Sequence, residues 1–422
     1  MIQMISSLLL GFFIFTTCLG AQEGPVSSPI EEAEQKSSLE DNIRAQIAGN
    51  NAFGMDLYNR LREKGNNIIC SPYCLSSALV LPCVGSAGAT RTQFQTILRF
   101  LSQEENLLAS FAWLNQHFTT PWYSGPNETR LYIGNSLWIQ QDIRLLPAFA
   151  AQAAKYFKSS LKQVDFIRNS ESSRININNW VREKTQGHIE HLIKPGEISS
   201  NTRLVVVSSL FMKAVWEHAF DPVLTSAHSF FVNKFNTVSM PMMTTTANFP
   251  FYQSDSYTLI ELPYRGGEGS QTQFSLLVFL PKDLYNLSKV ENMVLSQPLE
   301  NLLQPLRIDR VIVTFPKFKI SSEFELNTTL QQMGLVEAFN ENADFSKIDG
   351  SRDLSISNVI QKAYLSIDEK GTEAVAATAV TINRTAYEPQ PATVFLADHP
   401  FLFMIIDRSI NALLFIGRFV SP

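Results

Sequence analysis

Residues 371–382 read Gly-Thr-Glu-Ala-Val-Ala-Ala-Thr-Ala-Val-Thr-Ile, with one charge among residues that are otherwise small or β-branched. Every second residue from Thr372 (Thr372, Ala374, Ala376, Thr378, Val380, Ile382) is uncharged, and none is bulky before the end. On an extended strand these six point to one side. The stretch can therefore enter a sheet without burying a charge or forcing a large side chain past its neighbours. Residues 383–391 are polar and contain Pro389 and Pro391, the composition of an exposed loop. Strand and loop character thus coexist in one segment. An ordinary edge strand accounts for the same composition.

The chain around this segment is globular in type. Of its 422 residues 45% are hydrophobic and 17% charged, whereas a disordered chain carries fewer apolar residues and more charge. A chain of this length buries roughly three-quarters of its extended surface without metal or disulfide staples. The net charge of -5 and the lack of a strongly basic segment argue against a nucleic-acid-binding protein. Four cysteines are present, Cys18, Cys70, Cys74 and Cys83. They make no disulfide framework and read as small buried hydrophobes.

Residues 1–20 carry no charged side chain, hold an apolar run from Leu8 to Phe15 and end in small residues near Cys18-Leu19-Gly20-Ala21. The run is too short for a membrane span and reads as a secretory signal peptide. Residues 21–45 are acidic and polar and read as a flexible N-terminal segment. Residues 46–422 then form one domain with no internal repeat. No later stretch reaches eighteen apolar residues without a charge, so no membrane partner is expected. Localisation is expected to be extracellular, or periplasmic in a bacterial host.

Periodicity predicts a helix from Phe53 to Leu61 stopping near Gly65, and others from Ser71-Pro72 through Ala78, over Leu145–Phe157, from Ile175, and over Leu284–Leu295 and Leu326–Met333. Strands are expected over Leu204–Met212, Tyr257–Leu262, Phe274–Leu280, Val311–Ile320 and Phe401–Ile406. Helices and strands mix irregularly, which is an α+β pattern. No nucleophile elbow, Walker loop, His-Glu-x-x-His or dinucleotide fingerprint occurs. Gly266-Gly267-Glu268-Gly269 reads as a hairpin loop. His188 and His191 lie three apart on a potential helix end, with no third ligand nearby in sequence, so no metal or other cofactor is expected.

Several motifs together resemble the serpin family. Asn67 to Pro72 resembles the family's opening of its second helix. Asn178-Asn179-Trp180-Val181 with Thr185-Gln186-Gly187, Lys213-Ala214-Val215-Trp216, Glu261-Leu262-Pro263-Tyr264, Leu280-Pro281 and Ala343-Asp344-Phe345-Ser346 each resemble family segments. Glu369 to Thr378 resembles the family's hinge, Asp398-His399-Pro400-Phe401 its signature, and Gly417-Arg418 its close. The resemblance runs from about residue 48 to Pro422. It implies a single serpin domain with three β-sheets, eight or nine helices and an exposed reactive-centre loop. It implies no enzyme but a suicide inhibitor. A serine or cysteine protease attacks the loop, an acyl-enzyme forms, and the cut loop inserts as a strand and traps it.

Placed on the family pattern, the hinge is Glu369, Gly371, Thr372, Glu373, Ala374, Val375, Ala376, Ala377 and Thr378. Family spacing puts the reactive bond at Thr385–Ala386, which suits an elastase-like pocket. The register one residue earlier, Arg384–Thr385, suits a trypsin-like pocket. The sheet-opening region comprises Ser71, Cys74, Ser208, Gln361 and Trp216. The family usually has Ser, Asn and His where Cys74, Ser208 and Gln361 stand, so the three changes look concerted. Asn383-Arg384-Thr385 is a glycosylation sequon within the loop, and Asn127, Asn286 and Asn327 head three more. The expected heparin helix, about Gln103 to Phe118, has no Lys or Arg, so no heparin activation through it is expected. Lys317 is placed to pair with Glu369. The expected partner is an elastase-like or trypsin-like serine protease held covalently by a monomeric inhibitor. A non-inhibitory carrier or chaperone, cleaved without trapping, is the alternative.

Overall fold

The computed structural model describes residues 29–119, 129–157, 160–266, 274–372 and 391–422. The expected signal peptide at 1–20 lies outside these residues. The backbone is helical from Pro29, so the segment at 21–45 is not simply the flexible linker its composition suggests. Proline suits the first helical position, where its missing N–H is no loss. The acidic, polar composition masked the helical pattern. Asp41 and Arg44 pair at 3.4 Å near the surface, while Ile43 and Ile47, four apart, are buried.

Ten α-helices occur among the described residues, where eight or nine were expected. They are α1 Pro29–Leu61, α2 Pro72–Gly85, α3 Gly88–Ile97, α4 Glu104–Thr119 and α5 Pro147–Phe157. Then follow α6 Ser170–Lys184, α7 Leu287–Leu295, α8 Leu299–Leu303, α9 Asn327–Met333 and α10 Ser346–Asp349. The excess comes from short α8 and α10, too brief to show a period. Ser71 caps α2 by accepting from the Cys74 N–H at 3.3 Å, and Pro72 follows. The helix runs past Ala78 to Gly85. All its residues are buried, so no polar face marks its length in the sequence.

One six-stranded sheet has the order β10-β11-β12-β4-β2-β3. Its strands are β2 Arg130–Gln140, β3 Leu161–Val164, β4 Leu204–Val215, β10 Phe318–Glu325, β11 Ile356–Ile367 and β12 Gly371–Thr372. A nine-stranded sheet takes β1 Ile68–Cys70, β5 Ser226–Asn233, β6 Asn236–Gln253, β7 Tyr257–Pro263 and β8 Phe274–Pro281. It also takes β9 Arg307–Pro316, β13 Thr393–Leu396, β14 Phe401–Asp407 and β15 Ala412–Phe419. The described residues therefore form two hydrogen-bonded sheets rather than three. The 18-residue β6 joins what would be separate sheets, pairing with β5, β9 and β7 in turn. Val311–Ile320 is not one strand either. The chain changes sheet at Lys317, directly after Pro316, and the Lys317 N–H bonds to the Pro241 carbonyl at 3.0 Å.

β14 and β15 lie side by side within the nine-stranded sheet and are buried along their whole length. The main core packs helices α1–α5 against both sheets, and a smaller core lies under α6, around Trp138, Ile177, Val205 and Ile360. Glu291, 1% exposed, ties α7 to the rest: it accepts from Tyr58 at 2.5 Å, Arg62 at 2.8 Å and Arg418 at 3.4 Å.

Candidate functional site: a partly filled seam between two strands

β11 and β4 run parallel and pair from Ile356↔Leu204 to Tyr364↔Phe211. Beyond that pair they part, and β12 lies between them. Thr372 faces Ile367 on one side and Ala214 on the other. The seam is thus closed along most of its length and already holds two residues of the expected hinge at its open end. Gly371 has φ +151°, and a Cβ there would stand 2.1 Å from the Ala214 carbonyl oxygen. Only glycine lets the chain turn in this close to β4. The turn is held by Asp368, whose carboxylate accepts the Lys370 N–H at 2.9 Å and the Gly371 N–H at 3.2 Å.

Thr372 is fully buried, and its hydroxyl lies 2.9 Å from the Tyr264 hydroxyl. Burial pushes the Tyr264 phenol up, well out of reach of neutral pH. Trp216 stacks on Tyr264 at 4.4 Å between centroids and donates its indole N–H to the Asp368 carbonyl at 2.9 Å. Glu369 accepts from Lys317 at 2.8 Å and from Thr225 at 3.0 Å. Burial pushes the Glu369 carboxyl up, but hydrogen bonds and the Lys317 charge outweigh it, and the net shift is downward. The Lys317–Glu369 pair thus exists as the sequence suggested, at the entry to the hinge.

Three of the expected sheet-opening residues meet near the middle of the seam. Gln361 and Ser208 sit opposite each other on β11 and β4. The Gln361 amide donates to the Ser71 carbonyl at 2.8 Å and to the Ser208 hydroxyl at 3.2 Å, while its carbonyl accepts the Ser71 N–H at 3.2 Å. Cys74 joins through its N–H to Ser71. Burial pushes its thiol up to about 12, against hydrogen bonds with Ser71 and Asn135. The changes at Cys74, Ser208 and Gln361 therefore fall on one network. Trp216 does not belong to it. It stands eight residues along from Ser208, about 26 Å away at strand rise, with Thr372 and Tyr264. Tyr264 itself was quoted only as a family match. Its role was not legible, because its partner Thr372 is 108 positions away.

Glu373, Ala374, Val375, Ala376, Ala377 and Thr378 lie outside the described residues, as do Arg384, Thr385 and Ala386. Asn127, Asn383 and most of the Gly266–Gly269 loop lie outside them too. Among the described residues no group of three metal-binding side chains occurs. His188 and His191 follow the end of α6 rather than ending it, and His188 stacks on Phe211. Cys70, Cys74 and Cys83 are free and buried, as read from the sequence. Asn327 spends its side chain on the Ser357 carbonyl at 2.7 Å and the Val359 N–H at 2.9 Å.

Comparison with known proteins agrees with this geometry. The family profile described as Serpin (serine protease inhibitor) matches residues 48–422. The chain is 35% identical to leukocyte elastase inhibitor A of Rattus norvegicus over 386 residues, covering 89% of this chain and 99% of the relative. It is 33% identical to Serpin B3 of Homo sapiens over 392 residues, covering 88% and 98%. Among solved structures, human thyroxine-binding globulin superposes with a TM-score of 0.80 at 28% identity, covering 90% of this chain and 99% of that one. The family is one of protease inhibitors and not of enzymes. With the α+β fold and a family match over residues 48–422, the chain belongs to the serpin family.

Proposed function

We propose that the chain is a secreted suicide inhibitor of serine proteases. The reading rests on one observation above all. Gly371 and Thr372 already lie between β4 and β11 as a short strand, and the residues that follow carry no charge on the face that would continue inward. Insertion of about a dozen residues gains ladder hydrogen bonds of roughly 0.5–1.5 kcal/mol net each. Ordering them costs about 1–2 kcal/mol per residue. These two terms nearly cancel, so relief of strain in the uncut sheet supplies the drive. Cleavage at Thr385–Ala386, or at Arg384–Thr385, frees the segment to continue along the seam and carry the acylated protease with it. The small Thr385 suits an elastase-like pocket, in line with the name of the rat relative. The apolar leader at residues 1–20 supports secretion.

The test mixes the protein with elastase-like and trypsin-like proteases and reads denaturing gels together with the mass of the released peptide. A covalent complex that survives denaturation is the expected result. A peptide beginning at Ala386 fixes Thr385 as the acylated residue, and one beginning at Thr385 fixes Arg384. Cleavage with the proteases left active across the panel overturns the inhibitor reading in favour of a carrier or chaperone.

A further inference from the structure

The last β4–β11 pair before the seam opens is Phe211↔Tyr364. His188 lies over it. Its ring stacks on Phe211 at 4.0 Å between centroids, 24° from parallel, and on Tyr364 at 5.9 Å, also at 24°. Phe211 and Tyr364 lie 6.1 Å from each other. One imidazole thus touches both walls of the seam where the next inserting residue would part them.

The ring is aimed by a built turn. Thr185 donates its hydroxyl to the Val181 carbonyl at 2.8 Å and accepts the Ile189 N–H at 3.1 Å, while the His188 N–H bonds to the Thr185 carbonyl at 2.9 Å. Gln186 and Gly187 both take positive φ, +54° and +82°, folding the chain back after α6. Ile189 is buried beneath, in the core under α6. His188 as a residue is exposed. His188 is therefore held by the turn after α6, which is itself tied to β11 where Lys362 donates to the Glu190 carbonyl at 3.1 Å.

We propose that His188 is a clasp across the leading edge of the seam, a positioning residue that restrains loop insertion through Phe211 and Tyr364. The inference rests on the insertion reading given above. Neighbouring strands stand about 4.8 Å apart, so a strand placed between β4 and β11 moves their backbones to about 10 Å. A single ring cannot keep both stacks across that gap. It must release one wall before the segment beyond Thr372 can pass. The clasp therefore sets how fast the seam opens, and with it the fraction of acylated protease trapped before hydrolysis.

The test follows uptake of a synthetic peptide with the sequence of residues 372–383 into the intact full-length chain, by native gel and by the gain in heat stability. This needs no protease. His188→Ala takes up the peptide about three- to tenfold faster than the parent, the effect of one to two lost ring contacts. His188→Phe, which keeps a flat ring in place, returns to the parental rate. Urea midpoints taken without peptide identify any variant whose fold is weakened overall. Equal uptake by the parent and His188→Ala overturns the clasp and leaves the insertion reading intact. So does a His188→Phe rate equal to that of His188→Ala. A parent that neither takes up peptide nor gains heat stability on loop cleavage overturns the insertion reading, and the clasp with it.

Discussion

Replacing Thr372 by Glu places a carboxylate at a position with no solvent exposure, against the Tyr264 hydroxyl and between Ile367 and Ala214. In the uncut protein the hinge has an escape: β12 can leave the seam, losing a few ladder bonds and the Tyr264 bond, about 2–4 kcal/mol together. After cleavage there is none, because Thr372 is the first residue of the inserting face. The carboxyl must enter neutral, and full burial raises such a group by about 3–5 pH units, or roughly 4–7 kcal/mol. Even 4 kcal/mol placed on the insertion barrier slows it about a thousandfold. Acyl-enzyme hydrolysis then wins. The assay is the molar ratio of serpin to protease needed for full inhibition, with gels for the covalent complex. Thr372→Glu is expected to be cleaved as a substrate with the protease left active. Thr372→Val keeps the shape, loses one hydroxyl bond of about 1 kcal/mol, and is expected to trap. A Thr372→Glu protein that forms the complex at the parental ratio refutes the reasoning, because the hinge would then not need to enter the sheet.

Three further outcomes are expected. Glu291→Ala strands Arg418, 6% exposed, without its carboxylate and should lower stability by about 3–5 kcal/mol in urea unfolding; a change under 1 kcal/mol would remove Glu291 from the list of structural anchors. The Glu369 carboxyl is lowered in the fold, so its contribution to stability is present above its ordinary range and is lost as pH falls through its folded value. The difference in thermal midpoint between the parent and Lys317→Ala should therefore be present at pH 6 and shrink as the pH falls below the ordinary carboxylate range; a difference that does not change with acidification counts against the pair. Burial pushes Cys70 up, and Cys74 and Cys83 up to about 12, so a thiol reagent at pH 8 should label none of them in the native protein. Three thiols should react after denaturation if residues 1–20 are removed as proposed, and a fourth would mean that Cys18 is retained.

Local signals carried much of this fold. Gly65, in the left-handed region at φ +79°, ends the first helical stretch where the pattern placed it, and Ser71-Pro72 opens the second. Of the uncharged face read from strand alternation, Thr372 is the one residue among the described ones, and it lies in a strand as read. Other features join residues far apart. Gln361 reaches Ser71 across 290 positions, and Glu291 reaches Tyr58 across 233. A glutamine or glutamate in a mixed segment gives no sign of such a partner. β6 had no counterpart among the expected strands, and the three strands it pairs with are not written in its own residues. His188 was weighed as a metal ligand beside His191, because spacing along the chain says nothing about a ring stacked on two strands.

The placement of β14 and β15 bears on how the protein is made. These strands sit inside the nine-stranded sheet, flanked by β8 and β1, yet they are the latest strands in chain order. At about 5–20 residues per second of synthesis, everything up to β13 is made before β14 and β15 can join β8 to β1, so this sheet is completed only by the last residues of the domain.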